Sequence, residues 1–239
     1  MKIADGLHRV GQSSLVNSYL IDEAGKVTII DAGIAGLWRE LPAELAAMSR
    51  SVADIAGVVL THGDSDHVGY AERLRLEAGI GVWVHEADAA LARGEVGKQA
   101  KWGSLRFGPT LEFLWFAATH GGLRTNPIRE VQTFADGATL DLPGSPRVIS
   151  LPGHTPGSVA LHVPAVDALF AGDAMTTRNV LTGVVRPALG PFTVDSAQAL
   201  ASLDRLRNIE AQWLLPGHGD PWTGGVAAAI AAIRASAPS

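Results

Sequence analysis

Six consecutive positions, His62-Gly63-Asp64-Ser65-Asp66-His67, carry two imidazoles and two carboxylates directly after the apolar, β-branched run Gly57-Val58-Val59-Leu60. The run reads as a buried strand, so the four side chains gather at a strand end. Asp64 and Asp66 are like charges two residues apart, and a fold that holds them together needs a cation or several hydrogen bonds to offset the repulsion. A metal would do so. The chain has no cysteine, which removes thiolate ligands, disulfides and cysteine nucleophiles and leaves imidazole and carboxylate as the ligand types.

Three later apolar runs end the same way. Val148-Ile149-Ser150-Leu151 leads to Gly153-His154-Thr155, Ala168-Leu169-Phe170-Ala171 to Gly172-Asp173, and Gln212-Trp213-Leu214-Leu215 to Gly217-His218. A glycine directly before each candidate ligand permits the backbone turn that aims a side chain off a strand end. Earlier in the chain, residues 15–21 and 27–30 alternate in the strand period around the polar turn Asp22 to Lys26, a β-hairpin that ends at Asp31-Ala32-Gly33. Asp31 by itself reads either as a turn aspartate or as a side chain reaching toward the site.

Helical spacing follows over Trp38 to Met48, and over Val68 to Leu76 in a helix that Asp66 or His67 begins, with its free N–H groups facing the site. A strand at 80–84 and a brief helix at 87–91 continue the alternation; further helices are expected near 110–119, from about Asp195, and at 226–233. Strands alternating with helices behind a hairpin imply a mixed sheet with helices packed on it. With 239 residues and 47% hydrophobic composition, the chain supports one large core, so a single domain over 1–239 is expected. Its interruption is the glycine-punctuated segment of about 94–127, rich in Trp102, Phe107, Phe113, Trp115 and Phe116. That segment reads equally as a helical lid giving a substrate pocket an apolar wall and as a helix packed on the body or on a second subunit, which leaves a homodimer open. His120 on the same segment and Arg186 in the loop after Asp173 are further pocket candidates, each set against an ordinary surface role.

A net charge of −5 with scattered Lys and Arg offers no footprint for a phosphate backbone, so nucleic acid is not an expected partner. The first residues lack a charged segment followed by an apolar one, and no apolar stretch approaches the roughly 18 residues of a spanning helix. A cytoplasmic protein without a membrane partner is the expectation.

In this order the residues resemble the pattern of the metallo-β-lactamase fold hydrolases: a strand-terminal Asp, then His-x-His-x-Asp-His, then separate His, Asp and His residues. Here those are Asp31, the stretch from His62 to His67, His154, Asp173 and His218, and the resemblance spans nearly the whole chain. It implies an α/β fold, a four-layer αββα sandwich with the metals at one edge of the sheets. It also implies two divalent ions, one held by His62, Asp64 and His154, the other by Asp66, His67 and His218, with Asp173 between them. Asp64 stands where the family has a second histidine. Zinc is the first expectation, and the harder carboxylate makes iron or manganese more competitive. The implied chemistry is attack of a metal-bridged hydroxide on a small ester, lactone or thioester, with Asp66 as the catalytic residue that orients it and shuttles a proton. Asp31 and Thr155 would support the ligands from behind. A lactonase or general esterase fits the short chain and apolar insertion. Iron-dependent oxygen or redox chemistry and a degenerate, non-enzymatic binding module are the competing classes.

Overall fold

Strand residues of this chain alternate between two apolar environments, and that alternation builds the layers. The computed structural model describes residues 1–99 and 103–236; Trp102 lies outside them. Strands β1 (Lys2–Ala4), β2 (Leu7–Arg9), β3 (Tyr19–Glu23), β4 (Lys26–Ile30), β5 (Ile55–Val59), β6 (Val82–His85) and β7 (Gln132–Phe134) form a sheet in that spatial order. The pairing is antiparallel from β1 to β4 and parallel from β4 to β7. A second sheet takes β8 (Arg147–Ser150), β9 (Val159–Val163), β10 (Ala168–Gly172) and β13 (Trp213–Pro216), in the order β13-β10-β9-β8, and β11 (Thr176–Arg178) with β12 (Val185–Ala188) makes a small hairpin.

Tyr19, Ile21, Ile30 and Val59 of the first sheet meet Val159, Leu161, Val163, Ala168 and Phe170 of the second in one buried cluster. Their neighbours in sequence, Leu20, Ile29 and Val58, point the other way, as do Ala160 and Leu169, because successive side chains on a strand face opposite sides. Tyr19 and Phe170 touch edge to face across the two sheets, with ring centroids 5.5 Å apart. The outer face of the first sheet is covered by α1 (Leu41–Ala47), α2 (Ala71–Ala78) and α3 (Ala89–Ala92), through Leu41, Leu45, Leu74 and Ala89. The outer face of the second is covered through Ala229, Ile230 and Ile233 of α6 (Val226–Ser236) and by Leu203 and Leu206, which follow α5 (Ser196–Ser202). This is the αββα sandwich.

The helix after the histidine stretch begins later than expected. Residues 67–70 spend their backbone groups on the loop after β4: Gly69 N–H donates to Gly33 O at 2.8 Å, and Ala32 N–H donates to His67 O at 2.6 Å. Turns occupy this stretch and α2 starts only at Ala71. Gly69 is needed there, since a side chain would collide with the Gly33-Ile34 backbone.

Helix α4 (Phe107–Thr119) is the helix of the 94–127 segment among the described residues and is tied to the body at both ends. Arg106 N–H and Thr110 Oγ1 donate to Leu181 O at 3.0 and 2.8 Å, and Gly36 N–H donates to His120 O at 2.7 Å. Residues 14–17 and 216–219 are likewise joined near the site. Gly219 N–H donates to Ser14 O, Asn17 N–H to Gly217 O, and Asn17 Nδ2 to Pro216 O and Gly219 O, all within 2.9 Å. No helix among the described residues is long and apolar enough to cross a membrane.

Candidate metal centre

Strand ends of both sheets converge on one edge of the sandwich. His62 and His67 follow β5, while Asp173 follows β10 and His218 follows β13. His154 sits in the turn between β8 and β9. All five are buried. Three sets bring ligand atoms within 4.8 Å of one another: His62, Asp64 and His154; His62, His67 and Asp173; and Asp66, His67 and His218. The structure therefore brings together all seven residues assigned to metal by the sequence. The glycine at position 217 serves close approach, because a Cβ there would lie 2.7 Å from His67 Cε1 and still nearer Asp173 Oδ1. Gly172, with φ of +50°, makes the left-handed turn that aims Asp173.

Each imidazole has its outer nitrogen engaged. His67 Nδ1 lies 2.9 Å from Asp31 Oδ2, His62 Nδ1 3.0 Å from Thr61 Oγ1, and His154 Nδ1 3.2 Å from Thr193 Oγ1. His218 Nδ1 donates to Leu15 O. This fixes the ring orientations and turns four Nε2 atoms toward a common space, the arrangement by which outer partners orient metal ligands. His62 Nε2, His67 Nε2 and Asp173 Oδ1 are buried there without a hydrogen-bond partner. Orphaned buried nitrogens and a carboxylate oxygen are costly unless a cation completes them, so this donor set fits a divalent ion.

Burial pushes His67 down, but the Asp31, Asp66 and Asp173 carboxylates outweigh it and raise it to about 9. His218 is raised well above its ordinary value, its burial outweighed by Asp173 and Asp66. Burial also works against ionising Asp66 and Asp173; the surrounding imidazoles prevail, taking Asp66 to about 2 and Asp173 well below the usual carboxylate range. His154 is lowered, chiefly by burial.

Asp31 acts from behind the ligands. Thr61 donates its N–H to Oδ1 and its Oγ1–H to Oδ2, both at 2.7 Å, while Oδ2 also receives His67. One carboxylate thus holds a ligand ring and the loop that carries His62. Replacing Asp31 by alanine is expected to weaken metal retention by about 10–100-fold with the fold kept. Competition with a chromogenic chelator measures this; unchanged retention would show the bond to be dispensable.

Thr155 does something other than support an imidazole. Its Oγ1 donates to Asp88 Oδ2 at 2.7 Å, and the same carboxylate accepts from Gly63 N–H at 2.9 Å and Gly157 N–H at 2.7 Å. Asp88, fully buried, joins the loops of His62 and His154. The sequence reading missed it because a lone aspartate in a short helix carries no local signal.

A cleft of about 670 Å³ opens over the site, lined by Asp64, Asp66, Lys98, Phe113, Leu114 and Phe192 among others. Of the aromatic segment, Phe113 reaches the centre, its ring edge-on to His218 with centroids 6.2 Å apart. Phe107 and Trp115 lie on the solvent side of α4, 86% and 70% exposed. Phe116 packs beneath, stacked on His120 at 4.2 Å, and Arg186 sits on β12, away from the cleft lining. Lys98 was not foreseen: its Nζ donates to Asp64 and lies 2.7 Å from His154 Nε2. Away from the site, His8 Nδ1 lies 2.5 Å from Glu44 Oε1.

The family described as the metallo-beta-lactamase superfamily matches residues 13–218. The uncharacterized protein YobT of Bacillus subtilis is 30% identical over 212 residues, covering 85% of this chain and 83% of that one. The probable metallo-hydrolase YflN of the same organism is 25% identical, covering 92% and 86%. The acyl-coenzyme A thioesterase MBLAC2 of Gallus gallus is 29% identical, covering 84% and 72%. Among solved structures, the metallo-beta-lactamase family protein TTHA1429 of Thermus thermophilus superposes with TM-score 0.69 at 25% identity, over 96% of this chain and 78% of that one. TTHA1623 in a di-iron-bound form gives 0.61 at 26%, over 90% and 92%.

Proposed function

The chain belongs to the metallo-beta-lactamase superfamily, and from that premise we propose that it is a metal-dependent hydrolase of a small ester, lactone or thioester. The observation that carries this reading is the trio of buried, unpartnered donors, His62 Nε2, His67 Nε2 and Asp173 Oδ1, facing one space at the floor of an open cleft. Asp66, His67, Asp173 and His218 would hold a divalent ion there, and His62, Asp64 and His154 form the adjoining set. Such an ion, when bound, supplies an activated water for attack on a carbonyl and a Lewis acid for its oxygen.

The protein's own residues divide the remaining work. Asp66, about a quarter exposed at the cleft floor and kept ionised by its histidine neighbours, would accept a hydrogen bond that orients the attacking water, and we assign the proton shuttle to it as the ligand nearest the cleft. Asp31 and the Leu15 carbonyl keep the His67 and His218 rings aligned. Phe113, Leu114 and Phe192 line the cleft above and give an acyl chain an apolar wall that excludes bulk water. The likeness to an acyl-coenzyme A thioesterase supports keeping thioesters in the substrate class.

Zinc is the first candidate ion. A second reading, iron, draws on the hard Asp64 carboxylate and on the di-iron form of a neighbour. Elemental analysis of protein purified without added metal, with a screen of lactones, thioesters and aryl esters, separates the two: iron without hydrolysis would remove the hydrolase reading. Chelation is expected to abolish turnover and lower the unfolding midpoint, both restored by adding back the native ion, since an ion at a hundred times its Kd contributes about 2.7 kcal/mol. Full turnover by metal-free protein would contradict it.

A further inference from the structure

The two candidate ligand sets differ in one respect that the family pattern does not contain. Around Asp66, His67, Asp173 and His218 the contacts are among imidazoles and carboxylates, and no lysine or arginine touches this set among the described residues. The other set holds an ammonium. Lys98 Nζ donates to Asp64 Oδ2 and sits 2.7 Å from His154 Nε2, with only 13% of its side chain exposed.

Hydrogen-bond direction makes this a built contact. Thr193 Oγ1 spends its own proton on Gly190 O at 2.7 Å, so it can only accept from His154 Nδ1. The proton of that ring is therefore on Nδ1, and Nε2 offers a lone pair to the ammonium. The same logic runs at His62: Thr61 Oγ1 donates to Asp31, accepts from His62 Nδ1, and leaves His62 Nε2 a lone pair, 3.4 Å from Asp64 Oδ2. At this set the positive charge of Lys98 meets the His154 lone pair and the Asp64 carboxylate, while His62 Nε2 keeps its lone pair for the neighbouring space. Ahead of Lys98 the backbone is tied down: Glu95 N–H donates to Ala90 O at 2.9 Å, and Gly94, with φ of +68°, turns against Pro127.

We propose that Lys98 is the resident cation at Asp64 and His154, so that the chain takes one divalent ion, at Asp66, His67, Asp173 and His218. This rests on reading the latter four as a metal site. A second ion would share Asp64 and His154 with an ammonium already bonded to both, and the like charges repel at that separation. Asp64 in place of a histidine suits this role, because a carboxylate pairs with an ammonium where a third imidazole would not. Lys98 then lines the cleft as a fixed positive charge beside the single ion.

Metal stoichiometry tests the proposal independently of turnover. Demetallated wild type, Lys98→Met and Lys98→Arg would be titrated with cobalt(II), read by its visible spectrum, and the ion content counted by elemental analysis after gel filtration. Wild type and Lys98→Arg are expected to saturate at one ion. Lys98→Met is expected to take two, its second bound about tenfold or more tightly than any second ion of wild type. Lys98→Gln repeats the count if the methionine variant does not fold. Two ions in wild type with affinities equal to those of Lys98→Met would overturn the proposal while keeping the metal centre, as would a single ion in every variant. No ion in any of them would overturn the metal-centre reading and this proposal with it.

Discussion

Replacing Asp173 by asparagine is expected to lower kcat/KM on the best substrate by about 10³ or more, and to strip the protein of metal during purification. Its carboxylate lies 3.2 Å from His218 Nε2 and 3.6 Å from both His67 and His154 Nε2, so it is the anion common to the site. An amide of the same shape keeps the packing but removes the charge that would hold a divalent ion and presents an N–H₂ in its place. Lewis-acid stabilisation is worth several kcal/mol, and each 1.36 kcal/mol is a decade in rate. The backbone of Asp173 stays anchored, since Gly190 N–H donates to its carbonyl at 3.0 Å, so the variant should fold. Elemental content and a Michaelis–Menten series on the same preparation decide the matter: wild-type metal with wild-type turnover would remove Asp173 from the site.

The second large effect is on stability. Asp88→Ala is expected to destabilise the protein by about 4 kcal/mol, because it leaves the Gly63 and Gly157 N–H groups buried without acceptors, at about 1–3 kcal/mol each, and opens a small void. Thr155 loses less, since its hydroxyl already has Ser158 Oγ at 2.7 Å. Asp88→Asn keeps one acceptor oxygen and should cost about half as much. Denaturant titration measures both. Because Asp88 serves the loops of His62 and His154 and none of Asp66, His67 or His218, the folded fraction should still bind an ion. A denaturation midpoint equal to wild type would show that water satisfies the two amides.

The seven candidate ligands were legible because each carries a local signal: crowded charge at His62 to His67, and a glycine after an apolar run at His154, Asp173 and His218. The β3–β4 hairpin and the strands leading to ligands showed in the same way, through runs of β-branched residues. What escaped has no local cause. Strand β9 is paired on both sides, by β8 and β10, yet its sequence follows the histidine turn without a break. The delayed start of α2 depends on residues 32 and 33, more than thirty positions earlier. The separation of Phe113 from Phe107 and Trp115 depends on which face of α4 meets the body, and a helix apolar nearly all round does not say so itself. Asp88 and Lys98 are single charges whose partners lie 25 to 69 and 34 to 56 residues away; only tertiary structure pairs them.

The join between residues 14–17 and 216–219 has a consequence for the order of assembly. His218 is oriented by Leu15, and Asn17 braces the turn that carries it. Asp66 and His67 lie on the first sheet's side of the sandwich and His218 on the second's, so neither half of the chain owns a complete ligand set. During synthesis the early strands would wait, with Asp66 and His67 Nε2 lacking their partners Asp173 and His218, until β10 and β13 have emerged and docked. Capture of an ion would therefore come after this long-range closure, and a loaded site would mark a molecule in which residues 14–17 and 216–219 have already met.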